Sequence, residues 1–195
     1  MRPSRQQGMS LIEIAVALAI IGIIMAMVAP SMGNWIQNTY LRNSAESVLN
    51  GVQTARLEAL KRNRPIAFYA PDVYSTAWQV CVYDVIADKC STASDAIIAS
   101  KDAHESSQNT TIGVDTSLTD TSVALSGGTN MPNIVVFDSF GRIYTVSPNP
   151  NVMRIDVRNS KATDERRLVI LINTGGQIRL CDPKLSKAAN PQGCA

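Results

Sequence analysis

Histidine is almost missing from this sequence: there is one, His104, in the polar segment AHESSQ. Aromatic residues make up 5% of the chain, and none of the four cysteines stands in CxxC or CxxH spacing. A zinc site is excluded on spacing. A stacking platform for single-stranded nucleic acid lacks its rings. GxSxG, HExxH, a P-loop and a strand–helix GxGxxG are all absent, so the common hydrolase, metalloprotease and nucleotide-binding classes have no foothold. Asp84 and Asp88 flank Cys90 without metal-loop spacing. No cofactor, no metal and no catalysis are expected. Polar side chains are also missing from Ile14 to Ala29.

The charge is unevenly spread. The net charge is +2, but residues 65–141 hold nine acids against Lys89 and Lys101, while residues 142–195 hold nine bases against Asp156, Asp164, Glu165 and Asp182. This is either two solvated faces of one domain, or a face built for a polyanion or a neighbouring subunit. Cys81, Cys90, Cys181 and Cys194 behind an export-like N-terminus suggest disulfides. Three connectivities exist; the local pairs Cys81–Cys90 and Cys181–Cys194 close short loops and are preferred.

Met9 to Ala29 is 21 residues with Ser10 and Glu13 as its only polar members. A helix of that length spans about 30 Å, one bilayer core. Arg2 and Arg5 precede it without an acid, which keeps that end cytoplasmic. A cleaved secretory signal fits poorly: the run ends AMVAPSM, with Pro30 directly after Ala29, and Ala15-x-Ala17-x-Ala19 lies too early. A plain anchor leaves Glu13 unexplained, because a carboxylate in a membrane helix is costly without a partner. Cutting after Gly8 would create an α-amine on Met9, four residues before Glu13 and on the same helical face. That amine, its own or a neighbour's, could pair with the carboxylate and set an axial register between helices.

GMSLIEIAVALAIIGIIMAMVAP, with Gly8, Glu13, Gly22 and Pro30, resembles the class III signal of type IV pilins and type II secretion pseudopilins. Met9 stands for the usual Phe and Ser10 for the usual Thr. The resemblance implies cleavage after Gly8 and methylation of Met9 by prepilin peptidase, then a membrane helix that becomes filament core. Gly22 and Pro30 weaken the helix, so a kink or local melting is expected at Pro30.

The helical pattern resumes over 38–65: Leu41, Ala45, Val48, Leu49, Val52, Ala55, Ala59 and Leu60 recur near a 3.6 period. One kinked helix is expected from about Ser10 to Arg64, stopped by Pro65, with a Glu58–Arg62 pair on its wet side. Gly51 reads as a weakness or a packing contact. Trp35 is placed near a membrane boundary and Trp78 in the core. Beyond Pro65, short β-rich runs lie at 66–69, 78–84, 110–115, 122–126, 134–138, 141–146, 153–157, 166–173 and 177–181. Ser139–Gly141 and Thr174–Gly176 read as hairpin connections, and 92–107 as loop. The expected class is α+β: a long kinked N-terminal helix packed on an antiparallel sheet. The divisions are a leader at 1–8, a transmembrane or filament-core helix at 9–35, and a periplasmic domain at 36–195.

VLNGVQTARLEALKRNRPIAF, with Ala55, Arg56, Glu58 and Ala59, resembles the corresponding segment of GspH/FimT/FimU-type minor pilins. IVVFDSFGRI, with Phe137, Gly141 and Arg142, and TGGQIRLCDP plus Cys194 resemble the same family's hairpins. The resemblance covers some two thirds of the chain, and 85–130 falls outside it. It implies a type IV pilin-like fold, with other minor and major pilins and the inner membrane as partners. It also implies a single-pass prepilin with its C-terminal domain in the periplasm, later carried into a surface pilus as a minor subunit. The C-terminal cysteine pair favours a pilus subunit over a type II secretion pseudopilin. Some FimT proteins bind DNA through a Gly-Arg-x-Arg motif. Here it reads Gly176-Gln177-Ile178-Arg179, with Lys184 and Lys187 following. Gln177 breaks the motif, since phosphate neutralisation needs a cation. Arg154, Arg158, Lys161, Arg166 and Arg167 are the remaining cations that could compensate.

Overall fold

The computed structural model describes residues 10–72, 74–91, 96–102, 105, 109–118, 121–125, 133–145, 151–161 and 166–194, with the side chains of 27–31 outside that description. The chain divides into two compact units, Met1–Ile36 and Gln37–Ala195. One helix, α1, runs Leu11–Arg62. It is helical straight through Pro30, which corrects the expected melting. A proline deletes one intrahelical donor, and the Ala26-Met27-Val28-Ala29 turn before it is sequence that supports a helix. The helix ends where Asn63 takes a left-handed φ of 49°, a conformation asparagine tolerates as a cap, two residues before Pro65.

In the second unit α1 buries a stripe of Leu41, Ala45, Val48, Val52, Ala55 and Ala59, each at most 1% exposed. Most of these are small. That lets the helix lie close to the sheets, and Gly51 takes this furthest: a Cβ there would stand 2.8 Å from Trp78. Trp78 packs at a tilt on Phe68 and donates its Nε1–H to Ser47 Oγ at 3.1 Å. Glu58 holds Arg62 at 2.6 Å and Lys61 at 3.1 Å.

The strands are β1 Ile66–Tyr69, β2 Trp78–Asp84, β3 Lys89–Cys90, β4 Ile97–Lys101, β5 Thr110–Asp115, β6 Ile134–Phe137, β7 Arg154–Asn159, β8 Arg167–Ile172 and β9 Ile178–Cys181. They form two antiparallel sheets rather than one. The first has the order β3-β2-β1-β6, with β4 also paired to β2; the second is β5-β7-β8-β9. Ile112, Ile155, Val157, Ile170 and Ile172 face one shared core with the α1 stripe.

Three strand expectations need correction. Residues 122–125 are irregular, because Arg154, Asp156 and Arg167 take their backbone groups as partners. Residues 141–145 reach no strand beyond a single bridge, Phe137↔Ile143. The 92–107 stretch, expected as loop, supplies β4, whose Ile97–Ala99 pair with Val80–Cys81 across an irregular register. His104 lies outside the described residues.

Candidate functional site

The sequence motifs point to the first turns of α1, and the structure places Glu13 in the first turn. Ser10 directly precedes the helix and accepts the backbone N–H of Glu13 at 3.0 Å through its carbonyl. Ser10-x-x-Glu13 thus has the spacing of a capping box, and a carboxylate there also suits the helix dipole. The side chains that follow are apolar on every face: Leu11 is 86% exposed, Leu18 64%, Ile23 61%, and Ile14, the least exposed large one, 47%. A helix apolar all round is stable only against lipid or other helices. Among the described residues no helix is long and apolar enough to cross a membrane; the described side chains of this apolar run stop at Ala26. Gly22 has open space around its Cα. Gly8 and Met9 lie outside the described residues, as does the side chain of Pro30. Trp35 is 68% exposed.

The family-like motifs of the second unit converge on one structural joint. Arg56 Nε donates to the carbonyl of Gly141 at 3.0 Å. Gly141 and Gly176 have φ of 71° and 78°, and a Cβ on Gly176 would fall 1.8 Å from Gly141 O. Ile143 N–H donates to Thr174 O at 3.1 Å. The turn after β6 and the β8–β9 turn therefore touch, backbone against backbone, with the Arg56 guanidinium beneath. This joint ties the first sheet to the second and both to α1. Its signal in the sequence was the Ala-Arg-x-Glu-Ala core, whose partners could not be read without the fold.

Gln177 and Arg179 also have structural work. Asn173 and Gln177 close the hairpin reciprocally: Gln177 N–H donates to Asn173 Oδ1 at 2.9 Å, and Asn173 Nδ2 donates to Gln177 Oε1 at 3.1 Å. An arginine at 177 could not accept that second bond. Arg179 Nη2 donates to Pro191 O at 3.2 Å and to Gly193 O. Its partners are carbonyls of the C-terminal loop, not an opposing acid. That loop is closed by the Cys181–Cys194 disulfide; Cys81–Cys90 joins β2 to β3. Lys184 and Lys187 are exposed and lie beyond β9, at the opposite end from Gly176 and Gln177.

A buried ion network was not anticipated. Arg154, 1% exposed, gives Asp156 two bonds of 2.7 and 2.8 Å, and Arg167 gives it a third at 2.7 Å. Leu125 N–H adds a fourth at 3.1 Å. On an alternating strand these charges read as solvated; the segment 121–125 covers them. Among the described residues no group of acidic, cysteine or histidine side chains could hold a metal ion.

A long helix with an exposed apolar first half, followed by a disulfide-closed two-sheet head, defines a pilin-like subunit. The chain belongs to the family described as Type II transport protein GspH, whose family model matches residues 44–187. Residues 3–29 match the prokaryotic N-terminal methylation motif. Among solved structures, the chain is similar to the type IV minor pilin FimU of Pseudomonas aeruginosa strain PAO1, with 20% identity over 83% of this chain and 99% of that one, at a TM-score of 0.50. The minor pseudopilin EpsH of the Type 2 Secretion System of Vibrio cholerae matches at 10% identity over 74% of this chain and 98% of that one, at a TM-score of 0.48. The FimU likeness establishes a shared fold. No curated protein sequence matches the chain.

Proposed function

We propose that this protein is a minor pilin, made as an inner-membrane prepilin, cleaved after Gly8, and packed by the first half of α1 into a type IV pilus. One observation carries the reading: a methylation motif at residues 3–29 leads into a helix whose apolar side chains are exposed on every face. Such a helix needs lipid first and neighbouring helices later. In this reading residues 1–8 are the leader, 9–35 the membrane and filament-core helix, and 36–195 the periplasmic head. Glu13 pairs with the Met9 α-amine of its own or an adjacent subunit, and the capping-box spacing holds the carboxylate at that end of the helix. Gly22 and Pro30 are the weak points that let the helix adjust on leaving the bilayer. Prepilin peptidase and other minor and major pilins are its partners, and its role is structural, in priming or assembling the filament. The C-terminal disulfide favours a pilus over a type II secretion pseudopilus. The DNA-receptor reading loses support because Arg179 is committed to Pro191 and Gly193.

Co-expression with a prepilin peptidase tests this reading by intact mass. Loss of residues 1–8 with one added methyl group is expected, and Gly8→Leu should block it. An unprocessed wild-type chain would refute the reading.

A further inference from the structure

The loop that follows β9, residues 182–194, is shaped by its own backbone. Lys184 N–H donates to Asp182 Oδ1 at 2.9 Å and Leu185 N–H to Asp182 O at 3.1 Å, which turns the chain away from the strand. Asn190 N–H donates to Ser186 O at 2.8 Å and Gln192 N–H to Asn190 Oδ1 at 2.9 Å, which turns it back. The two limbs meet at Gly193, where a Cβ would stand 2.5 Å from Leu185 O and Lys187 N. Only glycine lets them pack that closely. The result is a compact loop with its ends together, of the Ω kind.

Three fastenings hold this loop to the second sheet, and two of them contain no sulfur. Asp182 N–H donates to Gln192 O at 2.7 Å, and Asp182 bridges Gly193 in parallel. Arg179, inside β9, reaches Pro191 O at 3.2 Å and Gly193 O. The third fastening is Cys181–Cys194. Arg179 and Cys181 are two apart on β9 and share a face, and Gly193 directly precedes Cys194. The guanidinium thus grips the residue next to one sulfur from a position beside the other. Hydrogen bonds from a charged donor are stronger than neutral ones. Cys81–Cys90 is brought together differently, by the hairpin pairing Tyr83↔Cys90 and Asp84↔Lys89.

We propose that Arg179 is a positioning residue for the Cys181–Cys194 bond. It docks the loop in the reduced chain, selects this pairing from the three that four cysteines allow, and makes the closed bond harder to reduce. The chemistry is thiol–disulfide exchange with a disulfide oxidant. The thiolate of half-buried Cys194 attacks the oxidant, forming a mixed disulfide and releasing one thiol. The thiolate of Cys181, itself 2% exposed, then attacks the Cys194 sulfur and releases the second thiol. Each cysteine loses its proton, and the two electrons leave with the oxidant. Docking raises the local concentration of Cys181 at that second attack. By linkage, what Arg179 adds to the closed bond the bond adds to the grip of Arg179. The inference rests on the fold and is independent of the pilin reading.

The test is a redox titration of the full chain in non-ionic detergent against reduced and oxidised glutathione, read by thiol alkylation and peptide mass mapping. Wild type should recover Cys181–Cys194. Arg179→Gln should lower the effective concentration of that pair at least tenfold, about 30 mV for a two-electron couple, and mispaired Cys194 should appear. Cys81–Cys90 should stay within twofold of wild type, which separates positioning from general loss of structure. A second variant removes the sulfurs. Cys181→Ser with Cys194→Ser should be cut by trypsin after Lys184 and Lys187 no more than threefold faster than wild type, and adding Arg179→Gln should speed cutting tenfold or more. Wild-type effective concentration and pairing in Arg179→Gln would overturn the proposal. So would an equal fall at both disulfides, which would make Arg179 a residue of the fold at large, or a sulfur-free loop that opens with Arg179 in place.

Discussion

Replacing Asp156 by asparagine should be among the most damaging single changes in the head. Asp156 is fully buried and takes four donors, three of them from Arg154 and Arg167. The asparagine side chain would keep the shape but lose the carboxylate between two buried guanidinium groups, and its amide would turn a donor toward them. Breaking a buried pair by removing one partner costs about 3–5 kcal/mol. For a head of this size each kcal/mol lowers Tm by about 2–4 °C, so the midpoint should fall by roughly 6–20 °C. The segment 121–125 should loosen with it, since Val123, Thr121 and Ser122 carbonyls hold the same guanidinium groups. The assay is denaturant unfolding with disulfides intact, paired with limited proteolysis at 121–125. Arg142→Gln, which breaks the half-exposed pair with Asp138, is the control and should cost under about 1 kcal/mol. A loss below about 1 kcal/mol for Asp156→Asn would refute the network as the fastening of the covering segment. Replacing all three members together by Met, Leu and Met should be far milder than the single change, because no charge is then stranded.

Gly176→Ala should destabilise the head by about 2–4 kcal/mol, through a left-handed φ and the clash with Gly141 O. Gly175→Ala, with its nearest atom at 3.5 Å, should cost under about 1 kcal/mol in the same unfolding series. Asp138 supplies a pH dependence. Burial pushes its carboxyl up, but the backbone N–H groups of Arg142 and Phe140 and the Arg142 guanidinium outweigh burial and hold it below the usual range. A folded-state pKa below the unfolded one contributes stability that is complete above about pH 4 and is lost as pH falls through the folded value. Acid titration of the unfolding midpoint should show that loss, and Asp138→Asn should flatten it.

Much of the head was legible in its sequence because its elements obey local rules. The 3.6-period stripe from Leu41 to Ala59 marked α1, and alternation around Phe68, Val80, Ile112 and Ile170 marked strands that the structure contains. What escaped was long-range pairing. β4 was hidden because Ile97–Lys101 lies between polar stretches and owes its strand to β2, not to its own pattern. The covering segment 121–125 looked like a strand because Val123 and Leu125 alternate, yet its backbone serves two arginines from strands that come later in the chain. The site was legible in its motifs rather than its geometry. Gly8, Glu13, Arg56 and Gly176 could be singled out, but the meeting of Arg56 with Gly141 and Gly176 depends on two turns from different sheets. The role of Arg179 was missed for a similar reason: its acceptors, Pro191 and Gly193, belong to a loop brought back by the Cys181–Cys194 disulfide and by the Asp182–Gln192 backbone bond.

If α1 carries this subunit into a filament with Glu13 setting its place, the direct measurement is recovery in sheared pili. The share of the chain in that fraction, relative to membranes, is compared for wild type and Glu13→Ala. Wild type should be present in the filament fraction, and Glu13→Ala should be cleaved after Gly8 as before but depleted there several-fold. A wild-type chain processed yet absent from filaments, or a Glu13→Ala chain incorporated as well as wild type, would contradict that role.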